Sequence, residues 1–174
     1  MKNFFFLNIV FLFSFASINS QTKVGYINLK AIMEQLPEAQ DAQKQFDAIS
    51  QQMQDSLREM QMNWQNKYEE YDRQKLIMTE EQRIEIEREL SELEKIISTY
   101  RNQKFSPNGE LYSKQNELMK PIQNKIFKVL KEIAEEDNYD YIFDKSGEIL
   151  LLYTREKYDL TEEVLKRMIN YKKE

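Results

Sequence analysis

The side chains of this 174-residue chain that could take part in chemistry are carboxylates, amines, guanidinium groups and tyrosine hydroxyls, because the sequence contains no cysteine and no histidine. This composition excludes disulfide bonds, thiol nucleophiles, imidazole bases and nearly all of the usual zinc sites. Two carboxylates could still act as general acid and base, but such a pair needs a pocket, and long helices provide few pockets. We therefore expect no enzyme activity, no metal site and no cofactor.

The overall composition favours long exposed helices. The sequence has only three Gly and three Pro, whereas 32 % of its residues are charged and 41 % are hydrophobic. Few helix breakers and many Glu, Gln, Lys, Arg, Leu and Met favour helix, and the hydrophobic content is too high for a disordered chain. The formal net charge is −5, which lacks the basic excess that phosphate binding requires, so we expect no nucleic-acid partner.

The first twenty residues have the layout of a secretory signal. Lys2 precedes an apolar run from Phe4 to Phe15, and a short segment of small and polar residues follows. The alternative is a membrane anchor, but about twelve apolar residues are fewer than the roughly twenty needed to span a bilayer. We predict that residues 1–20 are a cleaved signal peptide, that the mature chain begins at Gln21, and that it is exported without a lipid anchor.

The segment QKLIMTEEQR, residues 74–83, indicates a turn within the long helical region 37–136. Thr79 and Gln82 have the spacing of a capping box, so a helix can begin at Glu80. Glu80 and Glu81 would then lie in the first turn, where the helix dipole favours acidic residues. We predict an antiparallel helical hairpin with its tip near residues 74–80. The alternative is one continuous helix paired in a parallel dimer.

Folding the chain back at Thr79 places one apolar stripe on another. The stripe of the first helix begins at Ala42 and ends at Tyr71, and that of the second runs from Ile84 to Tyr100. In this register Trp64 lies beside Leu93 and Glu94, Tyr68 beside Leu90, and Leu57 beside Tyr100.

The sequence FSPNG, residues 105–109, interrupts the second helical run. Pro107 restricts the residue before it, and Gly109 is a poor helix former. We predict that Pro107 and Gly109 form either a hinge or a simple packing irregularity, after which helix resumes from Glu110 to Glu136.

The remaining residues, 21–36 and 137–174, predict a small β body, which gives a mostly α fold of the α+β class. Strands are expected at Lys23–Asn28, Tyr139–Asp144 and Glu148–Thr154, with Gly147 supplying a positive φ between the last two. A closing helix would be capped by Asp159 or Thr161.

Three short strands form a weak independent core, so we expect several chains to complete one β core; the alternative is a monomer whose small helices cover the sheet. The residues expected at the contact between chains are apolar or aromatic and lie in the predicted strands: Val24, Tyr26, Ile27, Ile142, Leu150 and Leu152.

The mature chain resembles the Skp/OmpH family of periplasmic chaperones, most specifically in Val24–Asn28, Pro121–Asp144 and Asp159–Met168. The resemblance implies a jellyfish-shaped homotrimer, in which a joint β body carries three helical hairpins around a cavity. It also implies an ATP-independent holdase for unfolded outer-membrane proteins. The best-known family members are basic, and a lipopolysaccharide site has been proposed among their basic residues. The present chain is acidic, so that site is not carried over, and we expect no strong membrane binding.

A holdase needs apolar side chains that are not used in its own packing. The candidates for client contact are arm residues expected outside the packed stripe: Met62, Leu76, Ile77, Met78, Ile86 and Ile96. For each of them the alternative is ordinary packing between helices. The alternative for the whole protein is a coiled-coil structural or adaptor protein of the cell envelope that binds one folded partner.

Overall fold

In the computed structural model, which describes residues 22–148 and 150–171, two antiparallel rows of long helix extend from a small α/β body. The predicted signal peptide, residues 1–20, lies outside the described residues. In chain order, the elements are β1 (Val24–Ile27), α1 (Leu29–Gln35), α2 (Pro37–Gln74), α3 (Glu80–Phe105), α4 (Glu110–Asp137), β2 (Tyr141–Asp144), a 3-10 turn (Glu156–Tyr158) and α5 (Thr161–Tyr171).

The long helices form the predicted hairpin. α2 has 38 residues and is therefore about 57 Å long at 1.5 Å per residue. The chain turns after Gln74, and Thr79 starts α3 with a complete capping box: its hydroxyl accepts from the Gln82 amide, and the Gln82 side chain accepts from the Thr79 amide. A single continuous helix is therefore excluded.

Contacts between the two helices follow a fold-back at Thr79. The Tyr71 hydroxyl bonds to the Glu87 carboxylate, and Lys67 forms an ion pair with Glu89. Closer to the body, the Tyr100 hydroxyl donates to the main-chain carbonyl of Met53 at 3.3 Å. Met53 lies about one helical turn from Leu57, the residue predicted opposite Tyr100.

The body contains a parallel pair of strands. Val24 in β1 is opposite Tyr141 in β2, and Tyr26 is opposite Phe143, so the two outer parts of the chain pair with each other. The third predicted strand is wrong: none of the described residues among 148 and 150–154 lies in a strand. Leu150 and Leu152 are 81 % and 88 % exposed. A strand needs a neighbour for its backbone hydrogen bonds, and a single chain supplies none there.

The turn between residues 144 and 148 also differs from the prediction, because Gly147 does not have a positive φ. The left-handed residue of the body is Asn138, with φ 54°, which ends α4. Its conformation lets the chain leave the helix directly towards β2, since Asn tolerates this region better than most residues.

The hydrophobic core lies between the inner face of the sheet and four helices. Its members are Ile27, Ile32, Leu36, Ala39, Ala42, Ile122, Ile126, Val129, Ile133, Leu160, Val164, Leu165 and Met168. The start of α2 and the C-terminal half of α4 therefore belong to the body, although the sequence pattern assigns both to the arm. Because the arm helices continue into the core, the arm is anchored rigidly at its base.

Asp144 joins the end of β2 to the start of α1. Its carboxylate accepts from the Leu29 amide at 3.1 Å and from the amide and hydroxyl of Ser146 at 2.9 and 2.7 Å. Burial alone would raise the pKa of Asp144, but these hydrogen bonds from Ser146 and Leu29 outweigh it and hold the pKa below its ordinary value.

We expect Asp144→Ala to lower the free energy of unfolding at pH 7 by about 1–3 kcal/mol, because three donors lose a charged acceptor. A lowered pKa in the folded state stabilises the fold above the unfolded pKa of about 3.9, and this contribution is lost as pH falls through the folded value. Urea unfolding at pH 7 and at about pH 3 measures both effects.

The matched control is Asp47→Ala, since Asp47 is exposed on α2 and bonds only to the neighbouring Gln43 side chain. The control should change stability little at either pH. A difference between Asp144→Ala and the wild type that is as large at pH 3 as at pH 7 would contradict the assignment.

Candidate functional site

The tip of the arm presents apolar side chains to solvent. Leu76 is 91 % exposed and Ile77 is 86 % exposed. The turn is ordered by its main chain, because the Ile77 amide donates to the Gln74 carbonyl at 3.0 Å. Met78, the third predicted tip residue, is half-buried. The tip thus holds two large apolar side chains that none of the described residues covers.

The other client-contact candidates divide between surface and interface. Met62 is 58 % exposed and Ile96 is 52 % exposed, as expected for side chains outside the stripe. Ile86 is half-buried, so its contact with clients stays a prediction. Ile86 precedes the buried Leu90 by four residues, which places both on the same face of α3.

Ile84 is an exposed residue of the arm that is absent from the predicted client-contact residues. It belongs to the predicted packed stripe, but its side chain is 57 % exposed. Ile84 lies six residues before Leu90, about 120° around the helix from it at 3.6 residues per turn. The helical spacing from Leu90 is the sequence signal that places Ile84 and Ile86 on different faces of α3.

The arm has almost no core of its own. Between residues 43 and 118, all of which are described, only Met53 and Leu90 have buried side chains. Trp64 is half-buried, stacks on Tyr68 with ring centroids 5.2 Å apart, and borders a shallow groove together with Glu94 and Ile97. This confirms the register predicted for Trp64. A two-helix arm is too thin to bury both faces, so most apolar side chains stay within reach of another molecule.

The break between α3 and α4 is a compact turn. The Gly109 amide donates to the Ser106 carbonyl at 2.8 Å, and Lys104 forms an ion pair with Glu110 across the turn. A Cβ on Gly109 would come 2.8 Å from the Lys104 carbonyl oxygen, so glycine is required by close approach of two segments of main chain. Pro107 is exposed. Motion at Pro107 and Gly109 stays a prediction.

The residues predicted to lie at the contact between chains also divide into two groups. Tyr26 and Ile27 are buried within the protomer, at 6 % and 4 % exposure, and half-buried Ile142 packs against the core. Tyr26 is covered because the chain after residue 150 returns over it, with the Leu160 amide donating to the Tyr26 carbonyl at 2.9 Å. These three side chains are thus used inside one chain.

The outer face of the sheet is the part of the body available to another chain. Val24 is 39 % exposed and Tyr141, directly opposite it, is 59 % exposed. Leu150 and Leu152, in the segment that follows β2, are also exposed. We call Val24, Tyr141, Leu150 and Leu152 the outer sheet patch.

Within residues 22–148 and 150–171, no cluster of acidic side chains is arranged to hold a metal ion. In the same part of the chain, no helix combines the length and the apolar character needed to cross a membrane.

Comparison with known proteins identifies related sequences. Residues 23–168 match the family described as outer membrane protein (OmpH-like). The protein named chaperone protein Skp from Pectobacterium atrosepticum is 24 % identical over 153 residues, which cover 88 % of this chain and 89 % of that protein. The protein of the same name from Blochmanniella pennsylvanica is 23 % identical over 160 residues, which cover 92 % of this chain and 93 % of that protein.

The fold also matches a solved structure. The crystal structure of an OmpH-like protein from Caulobacter crescentus superposes with a TM-score of 0.69 and covers 86 % of this chain and 85 % of that chain. The two sequences are 9 % identical, so this likeness shows the fold alone.

We expect Gly109→Ala to destabilise the arm by about 1–3 kcal/mol, because the added methyl group meets main-chain atoms that cannot move without unwinding the end of α3. Thermal unfolding followed by far-ultraviolet circular dichroism measures the loss. The matched control is Gly147→Ala, whose Cβ would come no closer than 3.7 Å to its neighbours. Equal midpoints for the two variants would show that the close approach at Gly109 is unimportant.

Proposed function

Because the chain belongs to the OmpH-like outer membrane protein family, we propose that it is an ATP-independent periplasmic chaperone that holds unfolded outer-membrane proteins against its arms. The observation that carries the proposal is the exposure of Leu76 and Ile77 at the arm tip, where the body lies too far away to bury them. An exposed apolar tip is costly in water unless it meets another molecule. The relatives named chaperone protein Skp support the same function.

Holding without ATP requires contacts that are individually weak. Covering one large apolar side chain contributes about 1.5–3 kcal/mol, which a departing client can overcome one contact at a time. Met62, Leu76, Ile77, Ile84 and Ile96 are dispersed over both helices of the arm, so several contacts can form at once with a flexible chain. Many weak contacts together retain the client through high effective concentration.

The proposed assembly is a homotrimer joined through the outer sheet patch. A sheet of two four-residue strands is too small to be stable with one apolar face in water. Adding neighbouring chains at Val24, Tyr141, Leu150 and Leu152 would cover that face and would give residues 150–154 the strand partner that they lack. Three arms extending from one body would then enclose a cavity for the client.

The predicted signal peptide supports export of the chain, and the proposed site of action is the periplasm, where ATP is absent. The proposed mechanism includes no catalytic step and no cofactor, since binding and release follow from surface contacts alone.

The direct test is dilution of a urea-unfolded outer-membrane protein into buffer with and without the purified mature chain, followed by light scattering. We expect scattering to fall to near zero at a few trimer equivalents. Unchanged scattering would contradict the chaperone function. An adaptor for one folded partner would give no protection in this assay and a single saturable complex with that partner.

We expect the triple variant Leu76→Ser, Ile77→Ser, Met78→Ser to keep its oligomeric state and to hold clients at least about a hundredfold more weakly, because two exposed apolar contacts of about 1.5–3 kcal/mol each are lost. The matched control, Leu76→Met, Ile77→Leu, Met78→Leu, preserves apolar character and should retain holding. If the serine variant held clients as well as the wild type, the tip would be only a turn without a role in client contact.

We expect light scattering of the mature chain to give the mass of three copies, and Leu150→Asp with Leu152→Asp to shift it towards one copy, because buried unpaired carboxylates oppose association. The serine tip variant serves as the control that alters exposed apolar residues elsewhere. A wild-type mass of one or two copies would contradict the trimer.

A further inference from the structure

The excess of acidic residues is concentrated in the hairpin formed by α2 and α3. Residues 37–105 contain fifteen Asp and Glu but ten Lys and Arg, an excess of five carboxylates. The whole chain has 30 acidic and 25 basic residues, so everything outside residues 37–105 contains fifteen of each; without Lys2 of the predicted signal peptide, the mature remainder has a net charge of only −1. The acidic balance is therefore a property of the α2–α3 hairpin and is nearly absent from the body.

Ion pairing within the hairpin leaves much of this charge uncompensated. Eight of the fifteen carboxylates lie within ion-pair distance of a Lys or Arg. The other seven have no such partner among the described residues, and three cations of the hairpin, Arg73, Lys95 and Arg101, have none either. Glu59, Glu70, Glu81 and Glu94 also make no side-chain hydrogen bond to a described residue, and all four are exposed.

Two of these carboxylates lie one helical turn from an exposed apolar side chain. Glu59 precedes Met62 by three residues on α2, and Glu81 precedes Ile84 by three residues on α3; residues at this spacing are neighbours on a helix surface. Met62 is 58 % exposed and Ile84 is 57 % exposed. The hairpin surface therefore offers apolar contact and negative charge side by side.

We propose that the arms select clients by charge: the surface fits unfolded polypeptides that combine apolar residues with Lys and Arg and are net basic. This inference rests on the proposed chaperone function and names the class of client. A cationic client is drawn to the hairpin by the long-range field and gains ion pairs next to its apolar contacts. An acidic client of equal hydrophobicity is repelled by the same surface.

The test uses two versions of one outer-membrane β-barrel protein that share all apolar residues. One version carries Lys and Arg at its exposed charged positions, and the other carries Glu and Asp there. Each is labelled with a fluorophore, unfolded in urea and diluted into the mature chaperone. Affinity is measured at about 10 mM salt, where the Debye length is about 30 Å, and at about 1 M, where it is about 3 Å.

We expect the basic client to bind about tenfold more tightly than the acidic one at low salt, and the two affinities to converge at high salt. The variant Glu59→Gln, Glu70→Gln, Glu81→Gln, Glu94→Gln should lose most of the preference. The matched control, Glu34→Gln, Glu135→Gln, Glu156→Gln, Glu162→Gln, removes four exposed carboxylates outside the hairpin and should keep it.

The possible outcomes distinguish the charge selection, the role of the hairpin and the chaperone function. Holding of both clients with equal affinity, or tighter holding of the acidic one, would overturn the charge selection and leave the chaperone function standing. An equal loss of preference in the control would assign the effect to total charge and overturn the role of the hairpin. Failure to hold either client would overturn the chaperone function and this inference with it.

Discussion

The parallel pairing of β1 with β2 is the constraint on which the rest of the structure depends. Parallel strands cannot be joined by a tight turn, because the chain must return to the starting edge before the second strand begins. Here the return is made by α2, α3 and α4. The arm is thus the crossover connection of a two-stranded sheet, greatly lengthened, and both of its ends are fixed in one hydrophobic core.

The length of that connection determines the character of its surface. Near the body, Ile126 and Ile133 pack among the sheet and the small helices and are fully buried. Further out, α2 and α3 have only each other, and two helices cannot bury all of their apolar side chains. Cross-helix contacts such as Lys67 with Glu89 keep the hairpin closed, while Leu76 and Ile77 remain in solvent. The surface proposed to hold clients therefore results from the geometry of a thin arm.

The body shows the opposite situation, in which a core is present but the sheet is incomplete. The inner face of β1 and β2 is covered, whereas Val24 and Tyr141 on the outer face are exposed, as are Leu150 and Leu152 in the segment after β2. In the proposed trimer, an arm anchored in this body would take its direction from the chains that complete the sheet. Assembly of the body and arrangement of the arms would then be one event.

Features that depend on neighbouring residues were determined by the sequence alone. The capping box of Thr79 and Gln82 marked the tip, and Pro107 with Gly109 marked the break, because caps and breakers act within one helical turn. Features that depend on contacts with distant parts of the chain were decided by the tertiary structure. Residues 150–154 form no strand because a strand requires another chain segment, and Tyr26 is buried because the distant residue Leu160 returns beside it. Ile86 faces α2 while Ile84 faces solvent, since packing against Leu90 selects the face of α3, and helix propensity does not distinguish the two.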